Sequence, residues 1–439
     1  MPNNLPLNWY ECKLEDLCEV ISKGSTPKNQ TEKPNWAKIL KAENITKESI
    51  IDSTSCKYID KETHTTTLKR SILKKNDILI TIAGTLGRCA VVETEENLNT
   101  NQAVCFVRLL NCGISPHFIK YYALSPVVNN GLTGKAKITA IPNLTLEVIK
   151  NIDVVLPPLA EQERIVEKIE ALFQDIDEGV EHLKSAQAQI KQYRQSVLKS
   201  AFEGKLYKTT DWKEKKLIDL TSKIGSGSTP NGGKNNYHTD GIPIIRSMNV
   251  HMNKFIYEGL AYLDDKQASQ LNNVITQKDD VLLNITGASI GRTCLLPDTL
   301  VGARVNQHVS IVRTKNELLP QYLSFYFASP IMQTKITIEN YGATRQALTK
   351  SAIENFIIQL PTLPEQQRIV EEIEKRFAVV DELEKAVNEG LEKADKLKQS
   401  ILKKAFEGKL VAQNPNDEPA SILLARIKKS QSPTKGKKK

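Results

Sequence analysis

The 439-residue chain has no apolar run approaching the roughly 20 residues needed to cross a bilayer, and its start, MPNNLPLNWY, has no charged-then-apolar leader. A cytoplasmic location is therefore expected. Seven cysteines, at 12, 18, 56, 89, 105, 112 and 294, form an odd set with no C-x-x-C spacing. Buried free thiols are expected, not a disulfide framework or a zinc site. Six histidines, at 64, 117, 182, 238, 251 and 308, include no H-E-x-x-H and no Cys/His ligand spacing, so no metal is assigned. The stretch Gly225-Ser226-Gly227-Ser228-Thr229-Pro230 lacks the G-K-[S/T] of a phosphate loop. Gly131-Leu132-Thr133-Gly134-Lys135 has glycines too close together and Ala136 where a hydroxyl should follow. A G-x-S-x-G elbow and the N-P-P-[F/Y] signature are also missing. These absences point to a chain that binds and does not catalyse.

What the sequence has is duplication. Leu156 to Leu206 returns without insertion or deletion as Leu360 to Leu410: LPPLAEQERIVEKIE aligns with LPTLPEQQRIVEEIE, and QSVLKSAFEGKL with QSILKKAFEGKL. Roughly half the positions are identical, as expected of a repeated structural unit. Each copy opens at prolines, Pro157 and Pro158 or Pro361 and Pro364, and then has none, which is how a helix begins.

Apolar residues at spacings of four and three suggest a heptad seam: Ile165, Ile169, Leu172, Ile176, Gly179, Leu183, Ala186, Ile190, Tyr193 and Val197 in the first copy. In the second they are Ile369, Ile373, Arg376, Val380, Leu383, Val387, Gly390, Ala394, Leu397 and Ile401. Gly179, Gly390 and Arg376 weaken it. A helix of about 45 residues runs roughly 65 Å and its seam needs a partner; the other copy is the simplest one. Antiparallel pairing would relate the two preceding modules by a pseudo-two-fold axis. The alternative is two helices serving separate bundles or other chains.

The flanking segments are copies too. Trp9, Leu14, Asp16, Leu17, Ile21 and Gly24-Ser25-Thr26-Pro27 recur, 203 positions on, as Trp212, Leu217, Asp219, Leu220, Ile224 and Gly227-Ser228-Thr229-Pro230. Gly84-Thr85-Leu86-Gly87-Arg88 parallels the stretch Gly287 to Arg292, Asn101-Gln102 parallels Asn306-Gln307, and Ser125-Pro126 parallels Ser329-Pro330. Runs such as DILITIAG, QAVCFVRLL, GIPIIRSMNV and DVLLNITGA are strand-like between Gly, Asn, Asp and Pro punctuation, so each module is expected to be α+β. The expected order is a first module over 1–155, a spacer helix over 156–206, a second module over 207–359, a second spacer over 360–410, and a disordered basic tail over 411–439. Between their shared anchors the modules diverge. Two readers on one frame would do so, and neutral drift fits equally well.

The net charge of +9 divides as +3 and +4 on the modules, −2 and −1 on the repeats and +5 on the tail. Positive modules suit phosphate binding, though weakly at this size. Arg and Lys can bridge guanine or hold phosphate, Asn and Gln can pair with adenine, and hydroxyls position a backbone. The candidates are Lys23, Ser25, Thr26, Lys28, Lys41, Asn44, Thr85, Arg88, Lys135 and Lys137 in the first module. In the second they are Ser228, Thr229, Arg246, Asn249, Ser289, Arg292, Arg345 and Gln346. For any single one, a turn former or a solvated charge is the plainer reading.

The order of module and helix, the L-P-x-L-x-E-Q-x-R-I-V openings at 156 and 360, the A-F-x-G-K-L closings at 201 and 405, the G-S-T-P turns and the N-Q pairs together resemble the specificity subunit of type I restriction-modification enzymes. That resemblance implies a non-catalytic DNA reader, used in phage defence, whose two target-recognition domains each read one half of a split, asymmetric sequence, with the helices as a ruler. It further implies two adenine-methyltransferase subunits and motor-nuclease subunits as partners, which would carry S-adenosylmethionine, Mg²⁺ and ATP. One departure limits the carry-over. The first module replaces Gly342-Ala343-Thr344-Arg345-Gln346 with the longer stretch Gly131 to Ile141, so contacts there do not map one to one. The rival reading is a coiled-coil scaffold with two protein-binding modules.

Overall fold

The computed structural model describes residues 5–129, 144–206, 212–229, 237–341 and 347–431. They form two compact units, one of residues 1–182 with 390–439 and the other of residues 183–389.

In the first unit a four-stranded antiparallel sheet runs in the order Cys18–Lys23, Val104–Leu109, Ile78–Thr81, Cys89–Val91. Both faces are covered, which explains the unbroken apolar runs in its strands. Ile78, Ile80, Cys105 and Val107 face a core shared with helix Pro116–Leu124, while Leu79, Val104 and Phe106 face a second, smaller core. A three-stranded sheet, Lys57–Ile59, Ala37–Leu40 and Leu98–Thr100, adds the parallel pair Leu40↔Thr100.

The second unit repeats the plan. Its larger sheet is Thr221–Ser226, Val309–Thr314, Val281–Asn284, Thr293–Leu295, and its smaller one is Ala261–Leu263, Ile242–Ile245, Arg304–Val305. Val281 and Leu283 face one core and Leu282 the other. The chain is thus α+β and duplicated. One feature common to both units is invisible in sequence. Arg108 grips the buried Asp77 through two bonds of 2.8 and 2.7 Å, and Arg313 grips Asp280 through bonds of 2.7 and 2.8 Å.

Each repeat is a 44-residue helix, Leu159–Phe202 and Leu363–Phe406. Thr362 and Glu365 cap the second, with Thr362 N donating to Glu365 Oε2 at 3.0 Å and Glu365 N to Thr362 O at 2.9 Å. The A-F-x-G-K-L closings are C-caps. Gly204 and Gly408 take φ of 71° and 69°, and Lys205 N and Lys409 N reach back to Ser200 O and Lys404 O at 2.9 and 2.8 Å.

The helices pack on each other and run antiparallel within each unit. In the first, Lys398 Nζ lies 2.5 Å from Asp177 Oδ1 and 5.0 Å from the Phe173 ring centre. In the second, Gln187 bonds Asn388 and Arg194 bonds Asp381 and Glu384. The expected seam is out by one residue at alternate positions of the second copy and at two positions of the first. Leu383, Leu397 and Tyr193 are exposed (53%, 51% and 46%), while Phe377, Glu384, Leu391 and Lys398 hold the positions expected for Arg376, Leu383, Gly390 and Leu397. Val180 and Arg194 likewise replace Gly179 and Tyr193. Spacings of four-three and three-four have the same period, so periodicity alone does not choose between them. The three weak positions lie beside the seam.

The helix ends belong to the module cores. Phe406 meets Phe118 and Tyr122 edge-on at 5.5 and 5.0 Å, and Phe202 meets Tyr322 and Tyr326 at 5.2 and 5.0 Å. The expected disordered tail is corrected as far as residue 431. Helix Ala420–Gln431 buries Ala420, Leu423, Leu424 and Ile427 in the first core, and Arg164 bonds Asp417 at 2.6 Å. The apolar spacing of three, one and three there marks a helix face that the basic run after it obscures.

Candidate nucleic-acid interface

In each module the fold gathers four loops that are distant in sequence: the G-S-T-P turn, the turn after the central strand of the smaller sheet, the glycine loop and the N-Q turn. The parallel strand pairs, Leu40↔Thr100 and Ile245↔Val305, deliver the second and fourth of these side by side. Thr26 Oγ1 then donates to Gln102 Oε1, and Thr229 Oγ1 to Gln307 Oε1. Ile82 N donates to Ala103 O at 2.9 Å and Ile285 N to His308 O at 3.0 Å, which ties the glycine loops to the same turn.

The candidates separate by what holds them. Asn44 and Asn249 are withdrawn from the interface, because both are buried and form turns. Asn44 Oδ1 accepts from Lys41 N at 2.8 Å while its amide donates to Asp52 O. Asn249 Oδ1 accepts from Arg246 N at 3.0 Å while its amide donates to Ile256 O. The asparagines of the N-Q pairs are also turn formers, bonding the backbone two residues on at 3.0 Å, whereas Gln307 is exposed.

Lys23, Ser25, Lys28, Thr85 and Ser228 are exposed. Lys41 lies 3.3 Å from Glu43. Arg246 stacks on Tyr237 at 5.2 Å and donates to Gly259 O, with its Nε buried and unpartnered. Arg88 and Arg292, equivalent in sequence, differ in state. Arg88 donates to Ile45 O at 2.9 Å, whereas the Arg292 guanidinium has no hydrogen bond or ion pair among the described residues. Lys135, Lys137, Arg345 and Gln346 lie outside the described residues.

In the second module the loops enclose an open concavity of about 400 Å³, lined by Ser247, Met248, Thr286 to Ser289, Arg292 and His308. Sequence reasoning missed Ser247, Met248, Thr286 and His308. The available signal was a mismatch between the copies, since Ala83 and Ala103 stand where Thr286 and His308 do. The site offers hydrogen-bond donors and a cation. The thiols are not poised for chemistry: burial pushes those of Cys89, Cys105 and Cys294 up to about 12. No cluster of three or more His, Cys, Asp or Glu residues suited to a metal occurs among the described residues, and no described helix is long and apolar enough to cross a membrane.

A duplicated α+β module, each copy packed on helix ends within its own unit and presenting a polar loop cluster, defines a class of recognition protein built from two copies of one frame. The description of the type I restriction modification DNA specificity domain matches twice, over residues 6–184 and 209–393, and the chain belongs to that family. Among its relatives is the type I restriction enzyme EcoBI specificity subunit of Escherichia coli, 28% identical over 80% of this chain and 79% of that one. Another is a putative type I restriction enzyme MjaX specificity subunit of Methanocaldococcus jannaschii, 24% identical over 92% and 94%. Among solved structures, a chain from a study of complex assembly and conformational transition of the type I R-M system shares the fold, with a TM-score of 0.71, 21% identity and coverage of 93% of this chain and all of that one.

Proposed function

We propose that this chain is the DNA-reading subunit of a type I restriction-modification complex, each module reading one half of a split, asymmetric target, and that it performs no chemistry itself. The observation that carries the reading is the same four-loop cluster built twice, with exposed hydroxyls and lysines in one copy and, in the other, an arginine whose guanidinium has no partner among the described residues. Phosphate contacts from Lys23, Lys28 and Lys41 would set position, and side chains such as Thr26, Thr229 and Arg292 would approach base edges. Two adenine-methyltransferase subunits and the motor-nuclease subunits would dock on this chain and carry S-adenosylmethionine, Mg²⁺ and ATP.

The test is genome-wide adenine methylation in cells expressing the chain with its neighbouring methyltransferase subunit, compared with cells lacking the chain. A gapped two-part motif that depends on the chain supports the reading. Methylation independent of the chain rejects it in favour of the scaffold. A salt titration of DNA affinity gives a second discriminator, because phosphate contacts make affinity fall steeply with salt and a protein-binding scaffold would give a flat response.

A further inference from the structure

The second module carries a hydrogen-bonded relay that the first does not. Thr229 Oγ1 donates to Gln307 Oε1; the Gln307 amide nitrogen, a donor only, lies 3.1 Å from His308 Nε2, which must accept. A neutral ring accepting at Nε2 carries its hydrogen on Nδ1, and Nδ1 bonds Thr286 Oγ1. Thr286 therefore accepts from the histidine, and its own hydroxyl hydrogen is left for a partner outside the relay. Thr286 lines the concavity together with Arg292, whose guanidinium has no partner among the described residues. Two donor groups thus face one open space.

Both ends of the Thr286–His308 bond are alanine in the first module, Ala83 and Ala103, and the arginine equivalent to Arg292 is tied to Ile45 O. The backbone underneath is the same in both copies, Ile82 N to Ala103 O and Ile285 N to His308 O. The difference therefore lies in what the side chains offer and not in the frame that holds them.

We propose that Thr286, held by His308, and Arg292 form a base-reading pocket peculiar to the second module, one that selects a base edge presenting two acceptors, as guanine does with O6 and N7. The assignment rests on the DNA-reading function above. An arginine fork and a hydroxyl donor match that edge, whereas the amino group of cytosine or adenine would oppose a donor with a donor. His308 is a positioning residue: it sets the direction in which Thr286 donates.

The test uses the full chain in complex with its methyltransferase subunits and the double variant Thr286→Ala/His308→Ala, which installs side chains that the first module already accommodates. Methylation-site mapping should show the first half of the motif unchanged and discrimination at one guanine of the second half weakened on the order of 2- to 10-fold, the share of one hydrogen bond, because Arg292 remains. His308→Asn, which can still donate to Thr286 from its amide, should keep that discrimination, while His308→Ala should weaken it as the double variant does. Unchanged discrimination at that guanine in the double variant overturns the pocket. So does a uniform loss of affinity for all sequences with a shallower salt dependence, which would mean that the groups hold phosphate. If the unaltered complex yields no two-part motif, the DNA-reading function itself has failed, and that result is distinct from a motif that ignores the variants.

Discussion

Gly227→Ala should dismantle the second module's loop cluster, and Gly225→Ala, two residues away in the same G-S-G-S-T-P stretch, should not. A Cβ on Gly227 would fall inside 3.0 Å of Val305 O and 3.1 Å from Val274 Cγ2, whereas one on Gly225 meets nothing within 4 Å. Val305 is fully buried and paired in parallel with Ile245, so its carbonyl cannot yield and the turn must lift instead. Lifting it breaks the bond from Gly227 N to Asn306 O, 3.2 Å long, and separates Thr229 from Gln307. Two bonds at about 0.5–1.5 kcal/mol each give an expected loss of about 1–3 kcal/mol in chemical denaturation of the second unit. Gly225→Ala, in a strand with open space around it, should be neutral or slightly stabilising. Hydrogen exchange at residues 227–229 locates the change. In the assembled complex the second half-site should weaken and the first should not. Equal denaturation midpoints for the two variants would refute the close-approach argument.

Arg292→Ala should cost about 1–3 kcal/mol of binding at one half-site with no change in melting, while Arg88→Ala, which also frees the Ile45 carbonyl, should lower stability as well; DNA titration beside thermal melting separates the two. Phe406→Ala and Phe202→Ala should each cost about 3–5 kcal/mol in their own unit, read by chemical denaturation, because each ring closes an aromatic cluster between helix end and module. Asp280→Ala strands Arg313 and should destabilise by about 3–5 kcal/mol on the same measurement, with Asp77→Ala behaving alike in the first unit. Burial raises the Glu161 carboxyl above its ordinary 4.5, against the Trp9 indole N–H that favours its charge. The folded state therefore holds the proton longer than the unfolded one, and stability falls as pH rises from about 4.5 through the raised value; Glu161→Gln should remove that slope in denaturation midpoints measured against pH.

The duplication, the long helices and their pairing were legible because each rests on a local pattern: proline-bounded entries, heptad spacing and a glycine at the C-cap. The seam register was not, since choosing leucines put Leu383 and Leu397 in a contact that Glu384 and Lys398 make through ion pairs and a cation–aromatic contact. The tail failed for the opposite reason. A lysine run dominated the reading, and the four apolar residues from Ala420 to Ile427 have meaning only against the core that receives them. At the candidate interface, residue type picked out loops that the fold brings together, but it did not separate Asn44 and Asn249 from them, because a polar side chain that closes a turn and one that faces a ligand look alike in sequence.

Where the two copies agree and where they differ bears on whether the modules read different things. Positions that match carry the frame: the Asp–Arg pairs at 77/108 and 280/313, the phenylalanines at 202 and 406, the Thr–Gln bonds of the G-S-T-P turns. Positions that differ include the pairs Ala83/Thr286 and Ala103/His308, and in the second module these two are bonded to each other on the wall of the concavity. Independent drift would change one partner alone more readily than both, and a lone histidine or threonine there would lack its bond. A joint change of two touching residues on an unchanged backbone, beside an arginine tied in one copy and without a partner among the described residues in the other, is what a change of ligand would select. That is what the proposed function, two readers with different targets, would require of the pair. The first module made to carry Ala83→Thr and Ala103→His is the converse experiment: if the relay is self-sufficient, its half-site should move toward a guanine, and if the motif stays fixed, the tied state of Arg88 is the stronger constraint.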